Sequence, residues 1–152
     1  MSILIAAASA YRLTRSMRLQ KPTVVEVLRV GRSLKQNNPS RERTVLIAVK
    51  TLIRSDVTTA DRPSGAPAPE CARFAISVPK RFLKSAVRRN QFKRLVREVF
   101  RHHEIRTLPV DMLISLASRI TSPSKLSVAQ TLGATKSALE SVSEQMLTRT
   151  KA

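Results

Sequence analysis

The chain has 152 residues, a length that suits one domain. It carries 28 Lys and Arg against 10 Asp and Glu, a formal charge of +18, which selects phosphate polymers or anionic surfaces as partners and says little about fold. With 42% hydrophobic residues it is more than a disordered basic tail; with 3% aromatics and no Trp it is a poor base-stacking platform; and the single Cys71 excludes an internal disulfide or a cysteine zinc cluster.

Residues 1–20, "MSILIAAASAYRLTRSMRLQ", join a short apolar run to Arg12, Arg15 and Arg18, with no acid before Glu26. A secretory signal places basic residues ahead of its apolar run, and none precede it here. The segment is therefore read as a basic N-terminal extension, frayed or disordered, of a cytoplasmic protein. An Arg-rich, acid-poor organellar transit peptide is the alternative. No stretch reaches the roughly 18 to 20 apolar residues that a membrane helix needs, so no membrane partner is expected.

A single domain is expected over 21–148, with a tail at 149–152. Val24, Val27 and Leu28 fall at helical spacing after Pro22, which suits a first turn, and Gly31 marks the end of that short helix. "RTVLIAVKTLI", residues 43–53, is β-branched and apolar and predicts a strand. Residues 55–70 hold Pro63, Gly65, Pro67 and Pro69 and predict a long flexible loop. "CARFAISVP", residues 71–79, alternates Phe74, Ile76 and Val78 and predicts a second strand, which could pair with the first as a hairpin across the loop. "VDMLISL", residues 110–116, predicts a strand after Pro109. Residues 124–148 read as helical, with Val128, Leu132, Leu139, Val142 and Met146 on one face and Gly133 as a candidate break.

The clearest helix spans 85–104, with Ser85 as its cap. Phe92, Leu95, Val96, Val99 and His103 recur at i, i+3, i+4, i+7 and i+11, one core stripe. Asn90, Lys93, Arg94, Arg97 and Arg101 recur at the same offsets on another face. His102 and His103 are adjacent and point about 100° apart on a helix, so they make no metal-ligand pair.

From Lys80 to Arg106 there are ten Lys and Arg (including Arg81, Lys84, Arg88 and Arg89) against Glu98 and Glu104, a net +8. A face kept only for solubility would interleave acids at i,i+4, and Glu98 stands nearly alone. The self-repulsion of such a helix is relieved by a phosphate backbone. Arg forks two hydrogen bonds onto phosphate, Lys acts as a point charge, and Asn90 can reach a sugar hydroxyl or a base edge. Composition thus favours nucleic acid. It does not choose RNA over DNA, or a binding module over an enzyme subunit. Asp56, Asp61, Glu70 and Asp111 form no clustered carboxylate pair in sequence, which ranks an autonomous two-metal nuclease last.

Residues 72–116 resemble the protein subunit of bacterial ribonuclease P. The resemblance rests on Ser77 and Val78 ending a strand, then Lys80 and Arg81, then Arg89, Asn90, Lys93, Arg94, Arg97, Glu98, Phe100 and Arg101, then Leu108 and Pro109 before an apolar strand. It implies an α/β (α+β) two-layer sandwich with a central sheet of about four strands and a left-handed βαβ crossover, like the ribosomal-protein domain 2-like fold. It also implies a tRNA-processing ribonucleoprotein in which the RNA subunit, with Mg²⁺ held by RNA and substrate, removes the 5′ leader of precursor tRNA. The protein would bind ribonuclease P RNA, one copy per RNA, and touch the leader in a cleft beside the sheet, with no catalytic side chain and no metal ligand of its own. Arg89, Asn90, Lys93, Arg94 and Arg97 would carry the RNA contacts, supported by Arg88, Arg101, Lys80 and Arg81. The sequence departs from the family pattern in three places. Gln91 follows the Arg-Asn pair where Arg is usual, and Ala75 stands where Gly is usual. Val24, Val27 and Leu28 lie where the first helix carries cleft aromatics, leaving Phe74, Val24 and Leu28 as the candidate leader-cleft residues. A structural RNA-binding protein, such as a ribosomal component, is the competing reading.

Overall fold

The computed structural model describes residues 13–34, 47–53, 71–117 and 128–150. Within them lie helices α1 (Lys21–Val30), α2 (Ala86–His102) and α3 (Val128–Thr150), and strands β1 (Arg32–Leu34), β2 (Ile47–Ile53), β3 (Arg73–Ser77) and β4 (Val110–Leu116). The 55–70 loop, residues 43–46 of the expected strand and residues 124–127 of the expected helix lie outside the described residues.

The four strands form one mixed sheet in the order β1-β2-β4-β3. β2 runs antiparallel to β1 and β4, while β3 and β4 are parallel and joined through α2 as a βαβ unit. The expected hairpin between β2 and β3 does not form, because β4 lies between them. The reason is burial. Val110, Met112, Ile114 and Leu116 point to one face and are at most 1% exposed, and Leu113 on the other face is 6% exposed. Helices cover both faces of β4, and a strand buried in this way takes a central place where its backbone pairs on both sides.

The two faces have separate cores. On one, Val49, Phe74, Met112 and Ile114 pack with Phe92, Val96 and Phe100 of α2 and with Ala138, Leu139, Val142 and Met146 of α3. Phe100, absent from the stripe read by spacing, completes the row Phe92, Val96, Phe100 at i, i+4 and i+8, all 0% exposed. On the other face Val27 of α1 packs with Leu52 and Leu113. The sandwich of sheet and helices is therefore as expected, with α1 added on the far face.

α1 ends where expected. At Gly31 a Cβ would stand 2.2 Å from the Val27 carbonyl oxygen, so a side chain is excluded by close approach while the backbone angle itself is ordinary. Lys50 Nζ donates to the Leu28 carbonyl at 3.0 Å, a cation at the negative end of the helix. α3 is continuous through Gly133, where a side chain would meet nothing within 4 Å. Its inner face also differs from the apolar reading: Thr131 and Thr135 are fully buried, while Val128 is 45% exposed. Thr135 satisfies its hydroxyl by donating to the Thr131 carbonyl at 2.7 Å, which lets a polar residue sit in a packed helix face.

Part of the N-terminal segment belongs to the fold. Arg15–Met17 form a 3-10 turn, Met17 is buried in the main core, and Leu13 packs beside it. Leu19 N–H donates to the Phe74 carbonyl at 3.1 Å, and Arg18 makes a parallel bridge to Phe74 on the outer edge of β3. The boundary expected at residue 21 thus moves to Leu13 at the latest. At the other end α3 runs on to Thr150, past the limit of 148.

Candidate RNA interface

α2 presents two faces because its apolar residues recur with the helical repeat and its basic residues are offset from them. Ser85 caps it, its hydroxyl accepting from the Arg88 N–H at 3.5 Å. At about 100° per residue Lys93 and Arg97 lie nearest the core stripe, and Asn90 and Arg94 lie farther round toward solvent. The burial pattern agrees: Lys93 and Arg97 are half-buried, Asn90 and Arg94 exposed.

Lys93, Arg94 and Arg97 have no carboxylate partner among the described residues. The remaining basic candidates are more committed. Arg101 pairs with Glu98 at 3.2 Å, and Glu98 also meets His102 at 3.1 Å. Arg89 uses one guanidinium nitrogen on two carbonyls, Leu83 at 3.1 Å and Lys84 at 2.6 Å. It holds the turn that carries Lys80 and Arg81 onto the start of α2. Arg81 lies over the Phe82 ring, 4.7 Å from its centroid, and Lys80 is exposed. Arg88 is half-buried in the first turn of α2.

Between α2, the edge of β3 and the N-terminal segment lies a groove of about 210 Å³. Thr14, Arg18 and Leu19 bound it on the segment, Phe74 and Ile76 on the strand, and Lys93 and Arg97 on α2. Among the described residues no carboxylate lines it. Phe74 borders the groove but is 5% exposed, and its ring packs on Phe100 with centroids 4.1 Å apart. It is a core residue that borders the groove without offering a free ring face to a base. Val24 packs against the second core, and Leu28 is 48% exposed on α1; neither lines the groove. The sequence pattern leaves Arg18 in a basic extension, because nothing in it shows that the chain there returns to β3.

Behind the sheet edge, Arg73 Nε and Nη2 donate to the two Asp111 carboxylate oxygens at 2.9 and 2.8 Å. The hydrogen bonds to Asp111 raise the Arg73 pKa, opposed by burial. Asp111 is thereby tied to structure. Among the described residues no three His, Cys, Asp or Glu side chains are grouped to hold a metal ion, and no helix is long and apolar enough to cross a membrane.

The sequence model of the Ribonuclease P family matches residues 13–140. The chain belongs to the ribonuclease P protein family. It is 32% identical over 79 residues to the ribonuclease P protein component of Bordetella avium, covering 52% of this chain and 66% of that protein. To the ribonuclease P protein component of Thioalkalivibrio sulfidiphilus it is 29% identical over 90 residues, covering 59% of this chain and 72% of that protein. The fold matches the RNase P protein of Staphylococcus aureus with a TM-score of 0.59 at 20% identity, over 83% of this chain and 94% of that one. It matches the RNase P protein of Thermotoga maritima with a TM-score of 0.50 at 19% identity, over 79% of this chain and 96% of that one. At these identities the structural likeness speaks for the fold. The family match begins at Leu13 and so takes in the 3-10 turn and the Arg18–Phe74 bridge.

Proposed function

We propose that this chain is the protein subunit of a ribonuclease P holoenzyme, an endoribonuclease that removes the 5′ leader of precursor tRNA. The observation that carries this reading is the set of cations Lys93, Arg94 and Arg97 beside Asn90 on α2, which have no carboxylate partner among the described residues and of which Lys93 and Arg97 line the groove. One protein binds one ribonuclease P RNA in the cytoplasm. Arg94 and Asn90 face the catalytic RNA; Lys93 and Arg97 face the leader in the groove. With Phe74 buried and no other aromatic among the described residues lining the groove, the leader is held chiefly through its phosphates.

Hydrolysis belongs to the RNA. Mg²⁺ is assigned to RNA and substrate, and no step passes through a protein-bound ion. The protein's contribution is electrostatic. Docking one polyanion on another is opposed by repulsion that divalent ions must otherwise screen. Fixed cations that replace released counterions lower that demand. The competing reading, a structural ribosomal RNA-binding protein, places no requirement on the groove.

The test is reconstitution. Protein added to a bacterial ribonuclease P RNA at low Mg²⁺ is expected to restore cleavage of a precursor tRNA. Absence of rescue with several bacterial RNAs would overturn the reading.

A further inference from the structure

We propose that Arg89 is a positioning residue of the RNA interface: it locks the turn before α2 so that Lys80, Arg81 and Lys84 meet the catalytic RNA together with the cations of the helix. This rests on the function proposed above. It changes the role of Arg89 from a contact on RNA to a brace behind one. Three observations carry it.

First, the turn is closed on itself and anchored from below. The Phe82 and Leu83 N–H groups donate to the Pro79 carbonyl at 3.0 and 3.2 Å, and Leu83 is 4% exposed in the main core. These contacts shape the turn; they do not set how it leans on α2. Second, the join to the helix is light without Arg89. The Ser85 cap accepts from the Arg88 N–H at 3.5 Å, the long end of a hydrogen bond. Arg89 Nη1 reaches back from the first turn of α2 to the Lys84 carbonyl at 2.6 Å and the Leu83 carbonyl at 3.1 Å, both with a charged donor. Third, the side chains carried by this turn suit a polyanion. Lys80, Arg81 and Lys84 stand within five residues that hold no acid. All three are exposed, with no carboxylate partner among the described residues. Arg89 itself is half-buried and turned toward the carbonyls.

Cations on a loose turn must be immobilised when phosphate binds, and that ordering opposes association. Cations on a braced turn are already in place. Removing Arg89 therefore withdraws more charge from the interface than the single charge it carries.

The experiment measures binding of the full chain to a bacterial ribonuclease P RNA, without substrate, across a salt series. Arg89→Ala is expected to weaken binding roughly tenfold at low salt and to lower the salt slope by about two. The triple variant Lys80→Ala, Arg81→Ala, Lys84→Ala lowers the slope by about three, and adding Arg89→Ala to it changes affinity by less than about twofold. A protein that is merely destabilised loses affinity by a similar factor at every salt concentration, so the slope separates positioning from stability. A slope change of about one or less for Arg89→Ala, or a further drop of about one when it is added to the triple variant, would overturn the proposal. The triple variant keeps the brace, so an unchanged slope there overturns the proposal whatever Arg89→Ala does to folding. Lys93→Ala and Arg94→Ala in the same assay separate the two levels. If they weaken binding while the turn variants do not, only the role of the turn and its brace fails. If none of these variants changes binding, the RNA interface on α2 fails with it.

Discussion

Arg89 opens the family's Arg-Asn motif, and its side chain already has work in the free protein. One nitrogen donates to the carbonyls of Leu83 and Lys84. Without the guanidinium the exposed Lys84 carbonyl turns to water, while the part-buried Leu83 carbonyl loses a charged donor. Arg89→Ala is expected to cost about 1–3 kcal/mol of stability, whereas Arg94→Ala stays within about 0.5. Urea unfolding of the two variants checks this, and equal midpoints would show that the turn does not depend on Arg89. The motif is thus two devices in one run of letters: an arginine that braces a turn and cations that remain open to a partner. Spacing made the second legible and hid the first, because which carbonyls lie within reach of Arg89 depends on how residues 80–85 fold back. Phe74 shows the same limit. Its alternation with Ile76 and Val78 marked a strand, but its contact with Phe100 depends on two elements meeting.

At the scale of elements, α2 ends on a titratable hinge. His103 is the C-cap of α2 and the N-cap of the following 3-10 turn, its Nδ1 accepting from the Ile105 N–H at 3.1 Å. Burial lowers its pKa from 6.5, with Glu104 and Glu140 opposing and Lys136 on α3 adding to the shift. A lowered histidine pKa means that the unfolded chain binds the proton first. The stabilising contribution is therefore complete above about pH 6.5 and is lost as pH falls through the lower folded value. Protonation also takes the lone pair that accepts from Ile105. Thermal melts from pH 8 to pH 5 are expected to show a decline starting near pH 6.5, weaker in His103→Asn; identical acid limbs would rule this out. The helices and strands themselves were largely visible in the residue pattern: α1 up to Gly31, α2 behind Ser85, β4 after Pro109. Their neighbours were not. Periodicity states which face is apolar, and leaves open which apolar face it meets, so the β2–β3 hairpin was a reasonable expectation that the doubly buried β4 displaced.

For the whole molecule, the charge of +18 is a field, and the fold decides where it acts. If Lys93 and Arg94 neutralise phosphates, alanine at each should weaken RNA binding across sequences and lower the salt slope by about one per residue. Arg62→Ala, which removes one charge from 55–70, should leave the slope alone. Filter binding over a salt series distinguishes this from bulk attraction, which would weight all cations alike. The bulk charge announced a polyanion before any element was assigned. What it could not announce was the groove, whose boundaries come from residues near 18, 74 and 97 and exist only once the sheet has closed.

The pairing of Arg18 and Leu19 with Phe74 has one more consequence, for self-association. β3 is the last strand of the sheet, and a bare last strand offers its backbone to any other chain that can extend alongside it. Here the Phe74 carbonyl is already taken by Leu19, and the arginine beside it adds a charge that a second copy of this cationic chain would have to approach. The same few residues that complete the groove also guard the sheet against growing into its neighbour.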